Sequence, residues 1–127
     1  MPGSAFRAAV ERRDIDAAVA LLADDAVFRS PAVFTAYEGR AKVEQILRTV
    51  FTVFEDFRYT DELTSGDGVH ALIFEARVGD RQVQGLDLIR PDADGNIGEF
   101  TVMLRPASGL MAVAERMGAL LADAGVR

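Results

Sequence analysis

The hydrophobic spacing of this chain changes period near Phe54, and that change limits what it can fold into. Across residues 40–54 the apolar side chains Val43, Ile46, Leu47, Val50, Phe51 and Phe54 recur at the i, i+3, i+4, i+7 spacing of a helix with one buried face. Beyond that point come β-rich runs at residues 57–64, 69–78, 82–90 and 97–104. They are separated by Ser65-Gly66-Asp67-Gly68, by Gly79-Asp80 and by the turn-rich stretch from Pro91 to Asn96. Loops this short join neighbouring antiparallel strands. A sheet with one apolar face needs cover, and helices that precede a meander supply it. The order predicts an α+β domain with N-terminal helices packed on an antiparallel sheet.

The rest of the chain fits that plan. Phe6, Ala9 and Val10 lie at helical spacing within residues 4–12. Asp14 is placed to cap a second helix with the inner stripe Ile15, Ala18, Val19 and Leu22, ending near Asp24 and Asp25. Residues 27–29 read as a short strand stopped by Pro31, and residues 32–39 as a loop carrying Phe34 and Tyr37. Pro106 ends the last strand, and Ser108 is placed to cap a final helix through residue 123.

Composition narrows the function classes. At 127 residues the chain suits one domain spanning residues 1–127. With no cysteine and one histidine it lacks thiolate chemistry and offers little to a transition metal, so neither metal nor cofactor is expected. Asp92-Ala93-Asp94-Gly95 lacks the remaining ligands of a calcium loop and reads as a hairpin turn. A net charge of −6 with scattered arginines argues against a nucleic-acid partner, and Arg12-Arg13 reads as a solvated face. No stretch approaches the roughly 20 apolar residues of a membrane span. Met1 to Arg13 lacks the apolar core of a secretory signal, so a cytoplasmic location without membrane association is the expectation.

The segments FRAAVERRDIDAAVALLADDAVFRSP, EGRAKVEQIL and GLDLIRPDADGNIGEFTVMLRP resemble the nuclear transport factor 2 superfamily, which includes ketosteroid isomerase and the SnoaL-type polyketide cyclases. The resemblance runs from about Phe6 to Arg105. It implies a curved sheet closed into a cone-shaped pocket, with a C-terminal helix added. Ketosteroid isomerase works with a general-base Asp and an oxyanion hole made of a Tyr and a protonated Asp. The resemblance places that Tyr at Phe6, the base at Ser30 and the oxyanion-hole Asp at Asp87. Phe6 has no hydroxyl, and Ser30 cannot take a carbon-bound proton without an activating base. Isomerisation of steroids by that route is therefore not expected.

With Asp87 pointing inward, strand alternation puts Val83, Gly85 and Ile89 on the same face and Leu86 and Leu88 on the other. An acid among apolar neighbours is desolvated and becomes a proton donor. Carrying the alignment with the family back without gaps puts His70, Leu72 and Phe74 on the inner face of the preceding strand, which implies His70 as a general acid or base beside Asp87. Asp87 and His70 are thus the catalytic candidates. Tyr37 and Ser30 are candidate ligand contacts at the cavity mouth, and Phe28, Phe74 and Phe100, with Phe51, Phe54, Val102 and Leu104, are the expected lining.

These residues describe a pocket for a small apolar, oxygen-bearing molecule, serving an isomerase, dehydratase, cyclase or hydrolase that needs no metal. The alternative is a non-catalytic binding or assembly domain with a filled pocket, which Phe6 and Ser30 favour. On the outer face, Leu86, Leu88, Thr101 and Met103 stand beside Glu75, Glu99, Arg77 and Arg105. That mixture suits the sheet-to-sheet homodimer that the resemblance implies.

Overall fold

The computed structural model describes residues 1–125. Two helices, α1 (Pro2–Glu11) and α2 (Ile15–Val19), lead into β1 (Leu22–Arg29) and the short β2 (Tyr37–Glu38). The long helix α3 (Arg40–Val53) follows, then the meander β3 (Glu55–Thr64), β4 (His70–Val78), β5 (Arg81–Pro91) and β6 (Ile97–Arg105), and finally α4 (Ala107–Asp123). The six strands form one sheet in the order β2-β1-β6-β5-β4-β3. The α+β architecture is as expected, with two additions: Tyr37 and Glu38, expected in a loop, pair with β1 as β2, and β1 joins the meander by pairing parallel to β6, Phe28 opposite Phe100. Among the described residues no helix is long and apolar enough to cross a membrane.

The helices form where their apolar stripes demand cover. In α3 the side chains Val43, Ile46, Leu47 and Val53 are buried, and in α1 Phe6 and Ala9 are. Asp14 caps α2 as expected, its side chain accepting the Ala17 N–H at 3.1 Å. Two expected boundaries differ. The second helix stops at Val19 and Leu22 opens a strand, because the Ile97 N–H donates to the Leu21 carbonyl at 2.8 Å and draws this backbone into the β6 ladder. Asp24 and Asp25 then sit exposed at a shift of register rather than at a helix end. At the C-terminus Ser108 does not cap α4. Pro106 is the cap residue, and its carbonyl accepts the Leu110 N–H at 2.9 Å.

The core lies between the inner sheet face and the helices, with Phe6, Phe74, Phe100, Leu47, Leu72 and Ile89 fully enclosed. Burial alternates strictly along β4, and along β5 from Val83 to Ile89, so that odd residues of β5 face in and even ones face out. Gly85 stands opposite Phe74, and a β-carbon on it would strike the Phe74 ring and the Leu104 side chain. The missing side chain is what lets that ring lie against the sheet. Replacing Gly85 with Ala overpacks this contact and should cost about 1–3 kcal/mol; urea unfolding that shows no loss would contradict the packing described.

Candidate active site

Inside the sheet's curve lies a cavity of about 150 Å³. Phe74, Asp87, Phe100, Val102 and Leu104 form its sheet wall, while Ile46, Leu47, Val50, Phe51 and Phe54 of α3 form the opposite one. Leu110, Val113, Ala114, Met117 and Leu121 bring α4 across it, so the C-terminal helix closes one side of the hollow. Phe28, Ser30 and Tyr37 line it near the β1–β2 loop. Phe6 is not in the lining. Its ring packs edge-on against Phe100 at 5.0 Å, and Met103 points outward, half exposed. Neither plugs the cavity.

Among the described residues Asp87 is the one ionisable carboxyl of this lining, and the register explains why it points inward. It pairs with Leu72 on β4 and Val102 on β6, at an odd position of β5. Only 6% of it is exposed. Burial alone pushes its carboxyl up to about 8, with no cation or hydrogen bond opposing the shift. At neutral pH the group is mostly a neutral acid, a donor rather than an anion.

His70 lies elsewhere. It shares the inner face, as expected, but at the first residue of β4, where the N-terminus of α1 covers it. Gly3 permits that cover, since a β-carbon there would collide with the imidazole. The ring Nε2 lies 3.0 Å from Ser4 Oγ and 3.4 Å from Glu62 Oε2, and Nδ1 lies 3.3 Å from the Gly68 carbonyl. Ser4 Oγ also donates to Glu62 at 2.9 Å, and this bond, ahead of Arg7, holds the Glu62 carboxyl below its usual range. Both ring nitrogens are therefore engaged, Nε2 with Ser4 of α1 and Glu62 of β3, Nδ1 with the turn before β4. His70 does not line the cavity of Asp87.

Of the other candidates, Ser30 lies at the cavity wall, but its Oγ accepts the Ala32 N–H at 3.0 Å, the bond of a turn. Tyr37, on β2, keeps its half-buried ring at the mouth. Phe28, Phe74 and Phe100 line the cavity as expected. One polar residue escaped the sequence reading. Tyr59 on β3 is buried, and its hydroxyl has no hydrogen-bond partner. Burial, and after it the nearby charge of Asp87, pushes that hydroxyl well above the ordinary tyrosine range. Its ring stands edge-on to Phe57 at 5.0 Å, with the Arg7 guanidinium 5.6 Å from its centre. The signal that could have found it is its inward phase, two residues after Phe57. Among the described residues no three His, Cys, Asp or Glu side chains gather as a metal site.

The model of the SnoaL-like domain family matches residues 4–113. Comparison with curated proteins finds no match. Among solved structures, a protein from Pseudomonas aeruginosa named as a steroid delta-isomerase is 48% identical, with a TM-score of 0.91 over 97% of this chain and 90% of that one. A Silicibacter pomeroyi protein with a cystatin-like fold is 31% identical, with a TM-score of 0.88 over 95% of this chain and 85% of that one. A Catenulispora acidiphila protein of ketosteroid isomerase-like fold, solved with trimethylamine, shares the fold at 16% identity, with a TM-score of 0.63 over 90% of this chain and 92% of that one. On the family match and these two closer relatives, the chain belongs to the SnoaL-like domain family of the nuclear transport factor 2-like superfamily.

Proposed function

We propose that this chain is a small-molecule pocket protein in which Asp87, protonated at neutral pH, donates a hydrogen bond to an oxygen of a compact apolar ligand. The observation that carries this reading is a buried carboxyl, uncompensated by any cation, on the wall of an otherwise greasy cavity. A neutral acid held in such a site stabilises negative charge that develops on a carbonyl or leaving oxygen. An isomerase, dehydratase, cyclase or hydrolase step without metal is the chemistry this donor serves.

The name of the Pseudomonas aeruginosa relative, a steroid delta-isomerase, supports isomerisation among these. Two features turn the reading away from a steroid. A hollow near 150 Å³ accommodates about one ring, the size of cavity known to hold benzene. Phe6 and Ser30 also lack the hydroxyl donor and the carboxylate base that steroid isomerisation employs. A second reading, ligand binding without turnover, is favoured by one fact: apart from Asp87, the polar side chains of the described lining are the hydroxyls of Ser30 and Tyr37, and neither is a base at neutral pH. We further propose a homodimer through the outer sheet face, where Leu86, Leu88 and Thr101 are half-buried and Met103 is 52% exposed.

Three outcomes are expected. The first concerns pH. The folded carboxyl of Asp87 titrates near 8 and an unfolded aspartate near 3.9, so the fold holds the proton more tightly. This contribution is intact below about pH 4, falls as pH rises towards 8 and then levels off, a loss on the order of 4 kcal/mol between pH 5 and 8. Asp87→Asn should remove that slope in urea unfolding compared across this range; parallel curves for the two proteins would refute the buried acid. The second concerns the ligand. By ¹⁹F NMR, 4-fluorophenol should bind about tenfold tighter than fluorobenzene, and Asp87→Leu should abolish the difference. An undiminished preference in that variant would end the reading. The third concerns assembly, since light scattering at micromolar concentration should give a dimer, and a monomer alone would reject that interface.

A further inference from the structure

A second cavity, of about 350 Å³, opens between α1, α2, α3 and the start of β3, on the other side of a phenylalanine wall. Phe51, Phe54 and Phe57 line both hollows, so they floor the second with aromatic surface while walling the first. Around its rim stand Glu11, Arg13, Arg48 and Asp56. Three of these four charges are already engaged. Glu11 pairs with Arg7 at 3.3 Å, Arg48 with Asp16 and Glu44 at 2.7 and 3.1 Å, and Asp56 with Arg77 at 3.0 Å. Arg13 has no carboxylate within ion-pair distance among the described residues, although its neighbour Arg12 reaches Asp14.

The end of α1 requires a left-handed backbone at Arg13, a place that glycine fills most easily. Arg13 follows the cap of α1 with φ near +59°, its N–H donating to the Val10 carbonyl while the Asp14 N–H donates to that of Ala9. This is the helix-ending pair of bonds at which glycine is the common residue, because a side chain strains a left-handed backbone. Among the described residues only Arg13 and Asp56 are non-glycine residues with positive φ, and both line this cavity. Strained backbone persists where a side chain is needed in place. Asp56 has a structural reason, a register shift at the start of β3 and the ion pair with Arg77. At Arg13 the end of α1 sets the left-handed φ, but no ion pair among the described residues calls for a side chain there; the residue is exposed, as expected from the sequence, and stands on the cavity rim.

We infer that the second cavity is a binding site for small aromatic carboxylates, with Arg13 as the partner of the anionic group and the phenylalanine wall as the platform for the ring. The ligand class follows from the inventory. The floor is apolar and aromatic, and the uncommitted rim charge is a guanidinium, which matches a carboxylate in two parallel hydrogen bonds. The neighbouring acids, paired as they are, outnumber their arginines and disfavour polyanions such as nucleotides. A monoanion with a hydrophobic body remains. The inference is independent of Asp87, which lies behind the wall.

The test uses 2-naphthoate and its neutral isostere 2-naphthamide, whose two fused rings exceed the first cavity and whose emission is readable because the chain has no tryptophan. The full chain should bind naphthoate about tenfold tighter than naphthamide, and Asp87→Leu should retain that preference. Arg13→Gly should erase it while the melting temperature holds or rises, since glycine relieves the left-handed backbone. Arg13→Gln, with a side chain of comparable direction and no charge, should erase it as well. Equal affinity for the two probes, no binding of either, a preference that survives both Arg13 variants, or one that vanishes with Asp87→Leu would each overturn the assignment.

Discussion

The register between β4 and β5 is the constraint on which the rest depends. Leu72 faces Asp87 across these strands and Phe74 faces Gly85, so the inner phase of one strand is locked to the inner phase of the other. A slip of one residue would turn Leu86 and Leu88 inward and carry Asp87 to solvent. The slip is prevented from both sides, by the apolar residues that must be covered and by the Phe74 ring, which fits only against a residue without a side chain. A carboxyl is thus forced into an apolar hollow by the same alternation that builds the core. Its raised proton affinity follows from desolvation, and its capacity to donate to a ligand follows from that.

Among the described residues the ionisable side chains of His70 and Asp87 are both buried in the core, and the fold treats them in opposite ways. The imidazole meets Ser4, Glu62 and the Gly68 carbonyl, so its burial is compensated and serves to fasten α1 to the sheet. The carboxyl meets nothing that offsets its burial. A buried polar group that is satisfied rigidifies a structure, while one left unsatisfied destabilises it unless a ligand supplies the partner. The contrast separates a structural residue from a functional one more sharply than residue type does. By type alone both were acid–base candidates.

The phenylalanines explain why the interior stays hollow. Phe57 stacks on Phe74 at 4.7 Å, Phe54 leans on the same ring at 5.4 Å, and Phe51 meets Phe57 edge-on at 6.1 Å. These contacts tie the end of α3 to β3 and β4 as a stiff partition. Rings held by one another cannot swing to fill the spaces beside them, so a smaller cavity persists towards α4 and a larger one towards α1 and α2. One set of side chains serves as core on its edges and as binding surface on its faces.

Periodicity by itself determined much of this protein. The helical spacing from Val43 to Phe54, the four strand runs and their turn residues fixed α3 and the meander, and alternation placed Asp87, Leu72, Phe74 and Gly85 on one face. Those features were legible because they are local, set by the repeat of the backbone and the need to hide one face from water. Other features depended on partners distant in sequence. Leu22 continues the spacing of a helix, yet it became strand because β6 offered hydrogen bonds to that backbone. His70 has the phase of a cavity residue, and the helix laid over it from the other end of the chain decided that it is not one. Arg13 is surface in both readings, but only the meeting of α3 and β3 puts a pocket beside it. Sequence sets which face a side chain takes, whereas what stands opposite that face is settled only when remote segments meet, since contact energies belong to pairs.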